Sequence, residues 1–436
     1  MQVADWRTPI VAADRALYGS ARSHAQHVTL ELGFDTALDI DRLRTALGRV
    51  LAHAPILASA GDPTCDSHWR ALPDDLALQR AWQLTSSLAH ESERTHWHNR
   101  ALRPAEGPLV RLVVQHDGRR VLLTLHHAVG DGRSMLTVLR CLHAAYTGQP
   151  LPALAAPRDA WSVLHGATAR PIGFLQALLR MLARMLRYPP RRSGAWCAAA
   201  QTGPQRTFIR VPLPGMLARI QQVARPKGYT VNDVLVATLA LAWRTQRRAL
   251  ALPDAPFTTG ILVDCRRYQT EAQASIANWS SAEAISSEGQ CHTGADDELA
   301  RSVMQACRRA RSSLPGWLGL LGMSAAYATL PSRWLVPRAE SQWYASTRLL
   351  KLGNWITNLG PIPPELLDFG PARVVEAWPV VAAYEPPTTI TAIASVGNDL
   401  YLTLGSVEGH WDSVSEARLQ ARINEALGHI LRGLRA

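Results

Sequence analysis

Apolar positions in the first third of the chain alternate between two periods. His27-Val28-Thr29-Leu30-Glu31-Leu32 has the two-residue alternation of a short strand. Leu43, Leu47, Val50 and Leu51 then recur at helical spacing, which predicts a helix opened by Asp39 or Asp41 and stopped at Pro55. Two apolar runs, Leu109 to Val114 and Val121 to Leu125, flank Asp117-Gly118, a strong hairpin signal. A further helix carries Met135, Leu136, Val138, Leu139 and Leu142 and ends at Gly148-Gln149-Pro150.

From Leu151 to Gly203 the composition shifts toward Pro, Ala and Arg, with one amphipathic helix predicted from Ile172 to Tyr188. Its stripe of Leu175, Leu178, Leu179, Leu182, Met185 and Leu186 opposes Arg180, Arg184 and Arg187, and Arg191 and Arg192 follow. Two readings stand: a crossover helix with a solvated basic face, or a docking surface for an acidic partner or an anionic lipid headgroup. The strand and helix rhythm then restarts. Strands are predicted at Arg206 to Val211, Ile261 to Asp264, Thr389 to Val396 and Leu400 to Leu404, the last two joined at Gly397-Asn398-Asp399. Helices are predicted from Thr230 or Asn232 through Leu235, Leu239 and Trp243, from Leu299 to Ala310, and from Ser415 to Leu434. Two α/β lobes of related design follow, with an N-terminal lobe at 1–165, a basic linker at 166–204 and a C-terminal lobe at 205–436. No short internal repeat is found.

Composition supports this division. A chain of 436 residues that is 47% apolar and 19% charged has ample material for two cores and is not disordered in bulk. The cysteines (Cys65, Cys141, Cys197, Cys265, Cys291, Cys307) are scattered without metal or disulfide spacing, which fits free thiols in a reducing cytoplasm. The N-terminus lacks the apolar core of a signal peptide, and no apolar run is long enough to span a membrane. A net charge of +11 suits an anionic partner, and it also follows from an arginine-rich codon bias. Nucleic acid is not the expected partner.

Candidate chemistry concentrates at His126-His127-Ala128-Val129-Gly130-Asp131-Gly132, between the Val121 to Leu125 strand and the helix that follows. Two histidines leaving a strand, then a glycine-bracketed aspartate, fit a general base, because a neutral imidazole takes protons from hydroxyls and amines near neutral pH. The glycines allow unusual torsions or close approach. A metal site at His126, His127 and Asp131 lacks further ligands, so no metal is expected. The chain contains no GxSxG, GxxxxGK[ST] or HExxH motif. Gly316 to Gly322, with glycines at three-residue spacing, reads as close helix packing. The chain has 14 tryptophans; Trp243, Trp279, Trp343, Trp355 and Trp378 are expected mostly in core or lobe contacts, with one or two lining a pocket.

Four segments together resemble the CoA-dependent acyltransferase superfamily, which includes chloramphenicol acetyltransferase, peptide-synthetase condensation domains, alcohol acyltransferases and wax ester synthases. His126 to Gly132 matches its HHxxxDG motif. Asp264-Cys265-Arg266 resembles its D-x-R element, and Asn354 to Gly360 its late (S/T)NxG element. The segment from Leu38 to Leu57 resembles its opening helix and HPxL turn, with Ala54 interrupting His53-Ala54-Pro55. The likeness runs from about residue 10 to about residue 410.

That resemblance implies two chloramphenicol acetyltransferase-like lobes in a V-shaped pseudo-dimer, with an active-site tunnel between them. It makes His127 the base, His126 a structural neighbour, and Asp131 a brace paired with an arginine: Arg266, with Arg267 and Arg22 as competitors. Gly132 would bring a backbone N–H to the thioester oxygen. Thr357 and Asn358, with Trp355, would meet substrate, although Gly360-Pro361 also permits a plain strand-ending turn. The implied donor is acyl-CoA or the phosphopantetheine of an acyl- or peptidyl-carrier protein, with no permanent cofactor. The acceptor is a hydroxyl or amine, and the chain is expected to act as a monomer. The alternative is an altered member that only binds carrier proteins as a scaffold.

Overall fold

A computed structural model describes residues 6–19, 27–63, 65–155, 158–168, 171–189, 193–194, 196, 205–269, 274–287, 294–329, 354–381, 389–409 and 416–435. Arg22, Arg191, Arg192, Cys197, Cys291 and Trp343 lie outside them.

The first part of the chain forms β1 (His27–Phe34), α1 (Ile40–His53), β2 (Trp82–Thr85), β3 (Val110–Gln115), β4 (Arg120–His126) and α2 (Gly132–Thr147). After α3 (Pro171–Arg187) come β5 (Arg206–Leu213), α4 (Val231–Ala249), β6 (Thr258–Asp264), β7 (Ser280–Ser286), α5 (Asp296–Arg311) and α6 (Trp317–Thr329). The remainder forms β8 (Asn354–Pro361), β9 (Asp368–Phe369), β10 (Ala372–Val381), β11 (Thr389–Val396), β12 (Asp399–Val407) and α7 (Glu416–Arg435).

Local chemistry decides the helix starts. The Asp39 carboxylate, not that of Asp41, accepts the Arg42 N–H at 3.0 Å and caps α1. Thr230, not Asn232, opens α4 through a reciprocal capping box with Asp233.

Two six-stranded sheets result, in the orders β9-β10-β1-β4-β3-β2 and β7-β6-β8-β11-β12-β5. The first is antiparallel except where β2 meets β3; in the second, β8 runs parallel to both β6 and β11. Each sheet carries its own core. Leu30, Leu43, Leu47, Leu112, Leu123 and Leu139 pack together in the first lobe, and Val211, Leu235, Leu239, Val303, Leu402 and Ile423 in the second.

One exchange between lobes departs from chain order. β9 and β10 lie within the 205–436 stretch, yet β10 pairs along β1, setting Trp378 opposite Glu31 and Val380 opposite Thr29. The physical reason is the completed ladder: β1 gains a second hydrogen-bonded neighbour from a remote segment. Side chains reinforce the junction. Glu31, fully buried on β1, pairs with Arg120 at 3.1 Å and accepts from Arg210 of β5 at 3.2 Å. Burial pushes its carboxyl up, but the Arg210 charge and hydrogen bond outweigh this, so Glu31 stays below its ordinary value. Tyr401 of β12 donates to the Val375 carbonyl at 2.8 Å, and its ring meets Trp378 edge-on. Asn99 and Arg206 exchange two further hydrogen bonds across the lobes.

α3 leaves most of the predicted apolar stripe uncovered, and Arg180 and Arg187 stay exposed. Leu175, Leu179, Leu182, Met185 and Leu186 are exposed, whereas Arg184 reaches inward to Glu283.

Gly316 opens α6 with φ of +76°, and a Cβ on Gly319 would stand 2.5 Å from Ser281 Oγ. Gly316 and Gly319 therefore serve close packing of the helix on β7, whereas a Cβ on Gly322 would meet open space. Cys65, Cys141, Cys265 and Cys307 are free thiols. Among the described residues no helix is long and apolar enough to cross a membrane.

Candidate active site

β4 delivers the two histidines to the junction of the lobes, and α2 starts at once behind them. His126 is the last residue of β4, opposite His27 of β1. It is buried, and its Nδ1 accepts the Ala128 N–H at 3.2 Å, which shapes the turn. Burial, assisted by His127, pushes its pKa down to about 3, so the ring is neutral.

His127 lies one residue further, buried among residues of both lobes. Its Nδ1 faces the side-chain nitrogen of Asn278 at 2.7 Å, and that nitrogen also donates to the His127 carbonyl at 2.8 Å. The Asn278 Oδ1 accepts the Ser280 N–H at 3.0 Å, which fixes the orientation of the amide. Burial holds His127 below the ordinary histidine range, against the Asp131 carboxylate and the carbonyls of His127 and Gly130, which favour the charged ring. The ring is neutral at pH 7. With its proton on Nδ1, turned toward those carbonyls, Nε2 is a base; with Asn278 donating to Nδ1, the proton sits on Nε2. The balance between the Asn278 amide and the carbonyls therefore sets the tautomer.

Asp131 does two jobs at once. Oδ1 accepts the Ser134 N–H at 2.9 Å as the N-cap of α2, while Oδ2 accepts Arg266 Nη1 at 2.7 Å and the Trp279 N–H at 2.9 Å. Arg266 is buried just beyond β6; it also donates to Ser134 Oγ at 3.0 Å, to the Ala277 carbonyl at 2.8 Å and to Asp264 Oδ1 at 3.2 Å. Burial alone would raise the Asp131 carboxyl, but the Arg266 charge and hydrogen bond hold it below its usual value. The first lobe's helix cap and the second lobe's arginine are thus one buried network. Arg267 is exposed and stacks over Tyr268.

The glycines have ordinary φ values and act by close approach. A Cβ on Gly130 would meet Leu125 at 2.5 Å and Ser134 at 2.8 Å, and one on Gly132 would press Leu359 at 3.2 Å. Gly132 is the first residue of α2, where helix N–H groups lack intrahelical partners.

A cavity opens against these groups, lined by Val28, Thr29 and Leu30 of β1, His127, Gly132 and Met135, then Leu262, Val263 and Asp264 of β6 and Thr357 to Leu359 of β8. Both lobes contribute. A second cavity shares Leu262, Val263 and Asp264 with it and runs along Asn232, Arg267 and Arg311.

Thr357 has no hydrogen-bond partner for its hydroxyl among the described residues. The Asn358 Oδ1 accepts the Gly360 N–H at 2.8 Å, where Gly360 has φ of +82°. The strand-ending turn and the cavity wall are therefore the same residues. Trp355 is not a lining residue: it packs with Ile390 over Gly260, beside Leu262 and Val381, which do line the cavity. Trp279 is fully buried, Trp243 packs on Phe257, and no tryptophan lines the cavity among the described residues.

Sequence reasoning gave no site role to Asn278, Ser134 or the Trp279 N–H, and did not place the Asp264 carboxyl on a cavity wall. Asp264 is raised above the ordinary range by burial and by the Asp131 charge, with Arg266 opposing. Asn278 stands 151 positions from His127, and one sequence carries no signal linking them.

No family model matches the chain. Among curated proteins it is similar to an uncharacterized protein of Mycobacterium tuberculosis, 28% identical over 249 residues, which is 52% of this chain and 54% of that protein. The chain therefore spans about half the length of the curated relative. Among solved structures it resembles the first condensation domain of the calcium-dependent antibiotic synthetase, with a TM-score of 0.64 at 15% identity, over 98% of this chain and 97% of that one. It also resembles the wax ester synthase/diacylglycerol acyltransferase of Marinobacter aquaeolei VT8, with a TM-score of 0.57 at 15% identity, over 98% and 100%. At such identities the likeness establishes the fold. The chain has the two-lobed fold of condensation domains and wax ester synthases, as the motif resemblance implies.

Proposed function

We propose that this protein transfers an acyl group from a pantetheine thioester to a hydroxyl or amine acceptor, forming an ester or an amide. The thioester is carried by coenzyme A or by the phosphopantetheine of an acyl- or peptidyl-carrier protein. The observation that carries the reading is the neutral, buried His127 on a cavity walled by both lobes, its loop locked by Asp131 to Arg266. The fold it shares with a condensation domain and a wax ester synthase supports the same class of reaction.

In this reaction His127, in the tautomer with its proton on Nδ1, uses Nε2 to remove the proton from the acceptor O–H or N–H as the acceptor's lone pair attacks the thioester carbonyl. The carbonyl π electrons move to oxygen, and the Gly132 N–H at the start of α2 donates to that oxyanion. A donor of this kind is worth about 2.7–4 kcal/mol. The carbonyl re-forms, the C–S bond breaks, and the leaving thiolate takes the proton back from His127. No acyl-enzyme is required. General-base assistance contributes about 10²–10⁴-fold. Asp131 is a positioning residue here, since both its oxygens are occupied by the protein. Thr357 and Asn358 orient the acceptor or the thioester arm from the second lobe. The second cavity is the donor's route in, where Arg267 offers a guanidinium to the phosphate of the phosphopantetheine arm.

The test is intact-mass analysis of alcohol and amine acceptors incubated with acyl-CoA or acyl-carrier protein. Acyl addition to an acceptor, with release of free thiol, is the expected result. Tight carrier-protein binding without transfer across the donor and acceptor panel would replace this reading with the scaffold alternative.

A further inference from the structure

α3 buries the wrong face for an ordinary surface helix. Its inner side is fixed by mixed contacts: Phe174 meets Trp317 edge-on, Met181 is buried, Arg184 pairs with Glu283, and Arg180 donates to the Ser312 carbonyl at 3.1 Å. Its outer side is aliphatic. Ile172, Leu175, Leu179, Leu182 and Leu186 are 75%, 55%, 57%, 46% and 86% exposed, and at 3.6 residues per turn they form one continuous stripe. The 17 residues of α3 extend over about 25 Å.

This stripe is not part of a general scatter of surface leucines. Ten large hydrophobic residues are exposed among the described residues, and six of them are on α3. Two more, Trp161 and Leu318, lie on the helices packed beside it, Ala160–Thr168 and α6. A concentration of this kind marks an interaction surface.

The charges choose the occupant. α3 contains three arginines, Arg180, Arg184 and Arg187, and no Asp or Glu. A second copy of the same face would set arginine against arginine with no acid to answer it, which disfavours self-association through α3. An anionic surface that is apolar just beneath its charges satisfies both halves: aliphatic side chains enter it while the exposed Arg187 remains at its boundary. The helix is too short and too charged to cross a bilayer, so it would lie in the plane.

We propose that α3 docks the protein reversibly on an anionic lipid surface, with Ile172, Leu175, Leu179, Leu182 and Leu186 inserted at the boundary between headgroups and acyl chains. The proposal does not rest on the acyl-transfer reading, because docking is measured without substrate.

The experiment is co-sedimentation of the full chain with vesicles of phosphatidylcholine alone or mixed with phosphatidylglycerol, at low and high salt. Binding to the mixed vesicles, weakened by salt, is expected, with at least about tenfold less binding to phosphatidylcholine alone. Leu179→Glu/Leu182→Glu changes only exposed positions and should reduce binding at least about tenfold while the circular dichroism spectrum and melting temperature stay as in wild type. Arg187→Glu, a second variant outside the apolar stripe, should weaken binding to the mixed vesicles alone. Absence of sedimentation with either vesicle overturns the proposal, and so does undiminished binding by the Leu179→Glu/Leu182→Glu protein. Dimers in solution that this pair of substitutions dissolves would assign the face to a second copy instead.

Discussion

On the first-lobe wall of the cavity, His127 and Asp131 sit in a closed set of hydrogen bonds in which Arg266, Ser134, Asn278 and the Trp279 N–H are all committed. On the second-lobe wall, the Thr357 hydroxyl makes no hydrogen bond among the described residues and Asn358 spends its oxygen on the local turn at Gly360. The first wall is built to hold one geometry, as a proton-transferring group requires. The second is free to answer a substrate. Rigidity and specificity are thus divided between the lobes, and the Asp131–Arg266 pair is where the second lobe helps to build the first wall.

The largest effect should come from opening that pair. Arg266→Met leaves a buried Asp131 carboxylate without its cation, and about 3–5 kcal/mol of stability should be lost. Urea unfolding measures this, and an unchanged midpoint would show that the two walls are not unequal in the way described. Acid provides the next test. His27, His98, His126 and His127 are all held below their ordinary pKa by burial, with His98 and His126 near 3. The unfolded chain takes up protons on these rings below about pH 6.5 while the folded chain does not, so stability is full above that pH and falls as pH drops toward 3. Each ring contributes at most about 1.4 kcal/mol per pH unit across that window. Thermal unfolding at pH 7.5 and pH 5.5 reads the slope, and a flat profile would contradict the burial of neutral histidines.

Smaller effects separate positioning from substrate contact. Asn278→Leu removes the donor to Nδ1 and to the His127 carbonyl. Losing the clamp on the His127 carbonyl should outweigh freeing Nδ1 from a donor that keeps the proton on Nε2, so a fall in kcat of about tenfold with little change in KM is expected, together with a displaced pH–rate profile. A loss confined to KM would mean that Asn278 binds substrate and does not position His127. The mildest change should be Thr357→Val, with stability unchanged and KM or kcat shifted less than about tenfold. A large loss of stability there would erase the contrast between the walls.

The same contrast governs what the sequence reveals. The first wall comes from contiguous residues, so His126 to Gly132 is visible as strand, turn and helix cap in a single reading. Asp264 to Arg266 is a second compact element, and its arginine is the one that Asp131 meets. Asn278 and the exchanged β10 depend on contacts between distant segments, and their local composition does not announce them. Trp355 illustrates the limit: it lies two residues before Thr357, yet packs beside the cavity and does not face it. α3 was legible as amphipathic, but periodicity does not say which side the rest of the molecule covers, and here it covers the less apolar one.

The most direct test compares acyl transfer by wild type and His127→Ala on one donor and acceptor pair, at pH 7.5 and at pH 6, with folding of both verified. The account predicts that the variant loses about 10²–10⁴ in kcat. It also predicts that wild type loses less activity between pH 7.5 and pH 6 than a base with the ordinary histidine pKa would, because burial holds His127 below the ordinary range. A folded His127→Ala protein that forms product at the wild-type rate would contradict it.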